Sequence, residues 1–280
     1  MKNLYYTGKI RDIYHFDDLP HHLLVEHTDK QSGFNRYLCT IPGRGKILTD
    51  VSAWWFKLTQ HIIPNHYVDH WDNKMLVRKC TQFPVEVVVR NYITGSTKTS
   101  LWENYQHSHE YCGINFPEGL RKNQKIELVI TPSTKDEDDR PISEQEVVMM
   151  KLMTAEEWEY VREKALELFK FGRQIAKERG LILADTKFEF GRDCQTGQIM
   201  LTDELFTVDS SRFWKLASYQ QRFDNDLEPE RFDKDQVRNW IRDHADPYND
   251  QELPEVPQQL IDTVQKSYQE FAQILLAPKD

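Results

Sequence analysis

The stretch Leu181-Ile182-Leu183-Ala184-Asp185-Thr186-Lys187-Phe188-Glu189-Phe190-Gly191 restricts the fold more than any other part of the chain. As a β-strand, its period of two sets Asp185, Lys187 and Glu189 on one face and Thr186, Phe188 and Phe190 on the other. One face is core; the other carries only charge. A second apolar run, Ile199-Met200-Leu201-Thr202-Asp203-Glu204, follows through Thr196-Gly197. That spacing predicts an antiparallel hairpin that brings Asp203 near the charged face. Two or three carboxylates and a lysine on one hairpin could hold Mg²⁺ and a triphosphate, because Mg²⁺ takes one or two carboxylates and leaves its other positions to water and phosphate oxygens. The competing reading is a solvated sheet face whose charges pair across strands.

At 280 residues the chain can bury a sizeable core, as one large domain or two intimately packed ones. A formal charge of −9 argues against a nucleic-acid or membrane-surface partner, which would need a basic patch. It does not exclude an anionic substrate, since a site can be basic on an acidic protein. The N-terminus has no long apolar run, and no uncharged stretch is long enough to span a bilayer, so a cytoplasmic protein is the expectation. Cys39, Cys80, Cys112 and Cys194 are widely spaced and suggest neither a zinc cage nor a disulfide framework. His66 with His70, and His107 with His109, lack a third ligand and read as surface or packing residues.

Along the chain, Tyr6 to Tyr14 reads as two strands turning at Gly8, and His22 to His27 as a third. Lys9 and Arg11, two apart after a glycine, face the same way and could meet a phosphate, or be the exposed cations of an ordinary hairpin. Residues 29–36 read as a loop presenting Ser32, Asn35 and Arg36. A helix carries Ile47, Val51, Trp54, Trp55, Leu58 and Ile62 at spacings of three and four and stops before Pro64, its aromatics in the core. Residues 75–80 and 85–90 are strands, the second dense enough in valine to sit centrally. Arg90 then opens a glycine-containing loop to Ser96 and a helix over 97–105, which could grip a phosphate or simply cap a turn. Residues 107–125 look irregular, 126–130 form a strand, and 131–141 form a polar loop. Thr154 and Glu157 make a capping box for a long helix closing at Gly180. Further on, Val208 to Trp214 offers another arginine, Arg212, flanked by two hydroxyls, Asp233 starts a helix with Val237, Trp240 and Ile241, and Pro257 opens the last helix.

Taken in order, five segments resemble the phosphoribosylaminoimidazole-succinocarboxamide synthase (SAICAR synthetase) family of purine biosynthesis. They are Gly8-Lys9-Ile10-Arg11-Asp12-Ile13-Tyr14, Pro84 to Asn91 with Gly95-Ser96, Thr131-Pro132-Ser133-Thr134-Lys135, Asp185 to Gly191, and Asp203-Glu204 through Asp209-Ser210-Ser211-Arg212-Phe213-Trp214. The resemblance implies an α+β fold with an N-terminal antiparallel-sheet lobe (1–124), a C-terminal α+β lobe (125–280) and an ATP cleft between them, a layout shared with kinases and ATP-grasp enzymes. It implies a ligase joining the carboxylate of CAIR to the amine of L-aspartate with ATP becoming ADP and phosphate, through an acyl phosphate. ATP, CAIR and L-aspartate are the implied partners, Mg²⁺ the implied cofactor, and self-association is left open. By the same resemblance Lys9, Arg11, Glu86 and Lys187 would meet ATP, and Glu189 and Asp203 would bind Mg²⁺. Ser32, Asn35, Arg90, Ser96, Ser211 and Arg212 would hold substrate, with Lys187, Asp185 and Asp139 at the chemistry. The chain departs from the family pattern at Asn35, where many members carry an aspartate, and at Asp138-Asp139, where they commonly have His-Asp. A kinase-like phosphotransferase and a non-catalytic nucleotide-binding scaffold are the rival readings.

Overall fold

The computed structural model describes residues 2–136, 139–232 and 234–278. Three strands open it: β1 (Lys2–Thr7), β2 (Arg11–Phe16) and β3 (Leu19–His27), turning at Gly8 as expected. Residues that read as a loop are instead a hairpin of β4 (Lys30–Gly33) and β5 (Arg36–Thr40). Its two-residue tip, Phe34-Asn35, has φ of 53° and 65°, the left-handed backbone that a tight hairpin turn demands. Helix α1 (Arg44–Thr59) leads to β6 (Tyr67–Trp71) and β7 (Lys74–Arg78), which complete an antiparallel sheet in the order β1-β2-β3-β7-β6. Of the tryptophan pair on α1, Trp55 is fully buried against Phe206, whereas Trp54 is only half-buried at the core's edge, with Arg179 over its ring.

The second sheet starts at β8 (Cys80–Tyr92), so the hydrogen-bonded sheets part ahead of position 124. After it come α2 (Leu101–Tyr105), a small hairpin of β9 (Glu110–Tyr111) and β10 (Ile114–Asn115) inside the segment that looks irregular in the sequence, and β11 (Lys125–Thr134). The first four residues of the polar loop, 131–134, therefore belong to a strand; Glu137 and Asp138 lie outside the described residues. Next are α3 (Glu144–Met149), an addition to the expected elements, and α4 (Ala155–Glu178), started by the expected Thr154–Glu157 capping box. The predicted hairpin is β12 (Leu181–Asp193) and β13 (Ile199–Thr202), antiparallel across Gly197. Last come β14 (Ser211–Lys215), a further additional helix α5 (Leu216–Asp224), α6 (Asp235–His244) and α7 (Gln258–Leu276). The expected helix start at Asp233 lies outside the described residues. No helix among the described residues is long and apolar enough to cross a membrane.

β12 is the axis of the second sheet. From Asp185 to Asp193 it pairs with β8, and β8 in turn with β11. On its other edge the first half takes β14 and the second half β13. Residues paired across antiparallel strands share a face. Val85, Val87, Val89, Phe188 and Phe190 are therefore driven to one side, where the apolar stripe of α4 (Trp158, Val161, Ala165, Leu168, Ala176) covers them. Gly172 on that stripe lets the ring of Phe206 approach, since a Cβ there would lie 2.5 Å from it.

Candidate active site

The opposite face of this sheet is fixed by the same register. Asp185 stands opposite Arg90 and Arg212, Lys187 opposite Val88, and Glu189 opposite Glu86 and Thr202. From β11, Thr131 and Ser133 join the row. The face is not solvated: Asp185 is 2% exposed and Glu189 6%. Buried charges must be paired, and the pairing divides into two neighbouring clusters.

In the first cluster, Asp185 Oδ2 accepts from Arg90 Nη1 at 2.9 Å and from Arg212 Nη1 at 2.7 Å. Arg90 Nε donates to the Thr131 hydroxyl at 2.8 Å. A second carboxylate, Asp235, accepts from the Ser96 hydroxyl at 3.1 Å and from Arg238 at 3.2 Å, and lies 3.4 Å from Arg212 Nε. Burial alone would raise the Asp235 carboxyl, but Arg212, Arg238 and Arg231 outweigh it and hold the group well below the usual range. Nearby, Lys234 lies 3.3 Å from Asp209, which also accepts from Arg44 at 2.7 Å. Burial brings the Lys234 ammonium down to about 8 despite Asp209.

The second cluster surrounds Lys187, whose Nζ donates to Glu86 at 2.5 Å and to Glu189 at 3.0 Å. Lys135 is bonded to the other oxygen of Glu189. Burial opposes the Glu189 charge, yet Lys187 and Lys135 bring its carboxyl down to about 2. Asp203 moves the other way: burial, against the pull of Arg11 and with the repulsion of Glu189 and Glu204, lifts it to about 6. Arg11 is turned onto Asp203 and Glu204 and pairs with both. By strict alternation Thr202, not Asp203, lies opposite Glu189. Asp203 still comes within electrostatic range of Glu189 because its backbone is left-handed, φ 64°, and leaves the strand direction.

Two adjoining cavities open on this face. One, of about 230 Å³, is walled by Glu86, Arg90, Asp185, Lys187, Ser211 and Arg212. The other, of about 660 Å³, is walled by Lys9, Ser32, Asn35 and residues 97–99. Asp139, Lys234 and Arg238 belong to both and form the boundary between them. Burial and the Glu86 charge hold the Asp139 carboxyl above its ordinary value, with Lys187 and Lys9 opposing.

A family model described as SAICAR synthetase matches residues 4–255. The chain belongs to the SAICAR synthetase family. It is 52% identical over 267 residues to phosphoribosylaminoimidazole-succinocarboxamide synthase of Legionella pneumophila (strain Lens), covering 94% of this chain and 84% of the relative. The chloroplastic enzyme of Vigna aconitifolia is 48% identical over 258 residues, covering 91% and 74%. Among solved structures, SAICAR-synthase from Saccharomyces cerevisiae complexed with SAICAR superposes with a TM-score of 0.82 at 33% identity, covering 100% of this chain and 96% of that one. Membership makes the chain an α+β, ATP-dependent ligase of purine biosynthesis.

Of the residues singled out from the sequence, Glu86, Arg90, Asp139, Asp185, Lys187, Ser211 and Arg212 wall the first cavity, and Lys9, Ser32 and Asn35 the second. Lys9 and Asn35 are bonded to each other. Glu189 and Asp203 lie behind the first cavity beside Lys187. Arg11 and Ser96 line neither; each holds a carboxylate instead. Ser96 is not at a helix N-terminus, since α2 begins only at Leu101. Lys234, Asp235 and Arg238 join the site without any signal in the sequence. An Asp-x-x-Arg pair on a helix reads as an ordinary surface ion pair, and only the seating of α6 beside Arg212 of β14 brings it to the cavity.

Proposed function

We propose that this chain joins the carboxylate of CAIR to the amine of L-aspartate through an acyl phosphate, with the chemistry centred where the two cavities meet. The carrying observation is the row Asp185, Lys187, Glu189 on one strand face: an arginine cluster suited to a phosphate ester stands two residues from a lysine suited to a transferring phosphoryl group. A carboxylate oxygen of CAIR attacks the γ-phosphorus and ADP leaves; the amine nitrogen then attacks the acyl carbon, phosphate leaves, and the nitrogen loses a proton. Such transfers depend on positioning and charge neutralisation more than on covalent help from the protein. Arg90 and Arg212, spaced by Asp185, with Ser96 and Ser211 alongside, would grip the 5′-phosphate of CAIR. Lys187, steered by Glu86, would meet the γ-phosphate, with Lys9 reaching the nucleotide from the second cavity and Arg11 acting through the carboxylates it holds. Ser32 and Asn35 would contact the incoming aspartate. Asp139 would take the amine proton, a role supported by its position on the boundary and its raised carboxyl.

Glu189 and Asp203 fit Mg²⁺ by donor chemistry, being hard carboxylate oxygens near enough to perturb each other and balanced by Lys135 and Arg11. Bound there, Mg²⁺ would neutralise charge on the nucleotide phosphates. A cytosolic setting belongs to the same reading, supported by four cysteines that stand as free thiols.

The test is an assay with ATP, Mg²⁺, CAIR and L-aspartate in which ADP and SAICAR appear in equal amounts. ADP release indifferent to L-aspartate would overturn the reading. Arg212→Ala is expected to raise KM for CAIR by about 10- to 100-fold, the loss of one charge-assisted contact worth about 1.5–3 kcal/mol, and to leave KM for ATP unchanged. The pH profile is a further check. Lys234 loses its charge as pH rises through about 8, so kcat/KM for CAIR should fall above that pH. Lys234→Arg keeps the charge and should push this alkaline limb upward; an unmoved limb would show that Lys234 is not its source.

A further inference from the structure

A third cavity, of about 640 Å³, lies where α4 meets the end of β8 and the starts of β11 and β12. Four cations ring it: Lys170, Arg173 and Lys177 at helical spacing on α4, and Lys125 at the start of β11 on the facing wall. Tyr92, Leu181 and Ile182, all buried, give it an apolar floor. Among the described residues no aspartate or glutamate lines it, although the chain as a whole carries a net charge of −9. Among the described residues Lys125, Lys170 and Lys177 make no salt bridge, and Arg173 donates at 2.7 Å to the side chain of Asn91, itself 3% exposed. Basic residues in the last turns of a helix suit its dipole, which would account for Lys177 alone. It does not account for Lys125, which comes from a different element, the start of β11, nor for the lack of an acidic lining residue among those described. The volume is that of a site for a small molecule, and the lining combines an apolar base with a cationic rim.

We propose that this cavity is a second ligand site, separate from the catalytic one, that binds a small polyanion carrying an apolar or aromatic body. The ring of ammonium and guanidinium groups takes the anionic end, and the body lies on Tyr92 and Ile182. Asn91 couples the two parts of the wall: it fixes Arg173 on α4 and donates to the Ile126 carbonyl of β11 at 2.5 Å.

Binding of 1-naphthyl phosphate, followed by calorimetry, tests this, with inorganic pyrophosphate as the probe of charge alone. The measurement is made on Arg212→Ala enzyme, which weakens phosphate binding in the catalytic cavity, and on the same enzyme carrying Lys170→Glu and Lys177→Glu. The expected result is one site for naphthyl phosphate in the first protein, weakened by about 10-fold or more in the second, with pyrophosphate binding more weakly than naphthyl phosphate. In an otherwise unaltered chain, Lys170→Glu with Lys177→Glu should leave kcat and KM for CAIR and ATP as they were, which also certifies its fold. Absence of a site, binding indifferent to the two glutamates, or pyrophosphate binding as tightly as the aryl ester would each overturn the proposal. The choice of Arg212→Ala rests on the phosphate role proposed for Arg212, whereas the effect of Lys170→Glu with Lys177→Glu on naphthyl phosphate binding does not.

Discussion

Lys187→Arg is expected to lower kcat by about a thousandfold, some 4 kcal/mol of transition-state stabilisation, while the melting temperature stays within a few degrees of the parent. Lys187 is a point charge seated between Glu86 at 2.5 Å and Glu189 at 3.0 Å. Its charge is favoured so strongly by Glu189, Glu86 and Asp203 that burial does not neutralise it. Arginine preserves that compensation and hence the fold. A planar guanidinium, however, distributes its donors over a fork and cannot occupy the seat of a compact ammonium facing a phosphoryl oxygen. Lys187→Met is the contrasting variant: it removes the ammonium that Glu86 and Glu189 share, leaving Lys135 to pair with Glu189, and should lose stability as well as activity. Steady-state kinetics at saturating substrates, with a thermal scan of each variant, separates the two. If Lys187→Arg kept more than about a tenth of the parental kcat, a positioning role for the ammonium would be untenable.

The strand that carries this lysine is readable because alternation in the sequence maps directly onto the faces of a sheet. The period of two alone puts Asp185, Lys187 and Glu189 on one side, and the valines of β8 announce its central place. The capping box at Thr154 likewise needs only four residues to specify a helix start. The features that escape a sequence reading are those whose cause is not local. Phe34-Asn35 forms a hairpin tip although phenylalanine is a poor residue for positive φ, so the turn carries no signature. The register of β12 with β13 places Thr202 opposite Glu189, and Asp203 reaches the cluster only by leaving the strand in a left-handed conformation, where a salt bridge to a residue almost two hundred positions earlier holds it. Lys234, Asp235 and Arg238 offer no spacing that separates a cavity wall from a solvated helix face. Of the competing reading of the charged face, the pairing across strands holds, in Arg90–Asp185, Arg212–Asp185 and Lys187–Glu86, but the solvation does not, for a reason the sequence does not contain: groups from α6 and from the first sheet reach the face and bury it.

That mutual satisfaction makes Asp185 a residue whose removal should cost substantial stability. Asp185→Leu is expected to destabilise the fold by about 3–5 kcal/mol, because it leaves two guanidiniums directed at a position with no anion. Arg212 retains Asp235 at 3.4 Å, whereas Arg90, itself 7% exposed, retains only uncharged partners, the hydroxyl of Thr131 and the side chain of Tyr111, among the bonds described for it. The penalty should therefore fall mainly on Arg90. Asp185→Asn, which keeps an acceptor oxygen but no charge, should cost less than Asp185→Leu. Adding Arg90→Met to Asp185→Leu should recover more than half of the loss, since replacing both partners of a buried ion pair by apolar groups is close to neutral where removing one is not. Urea denaturation of the three variants and the parent gives the comparison, with unchanged m-values showing that the same transition is being followed. If Arg90→Met gave no recovery, the destabilisation would have to come from β12 packing and not from an uncompensated charge, and Asp185 would lose its role as the anion that spaces the two arginines of the phosphate site.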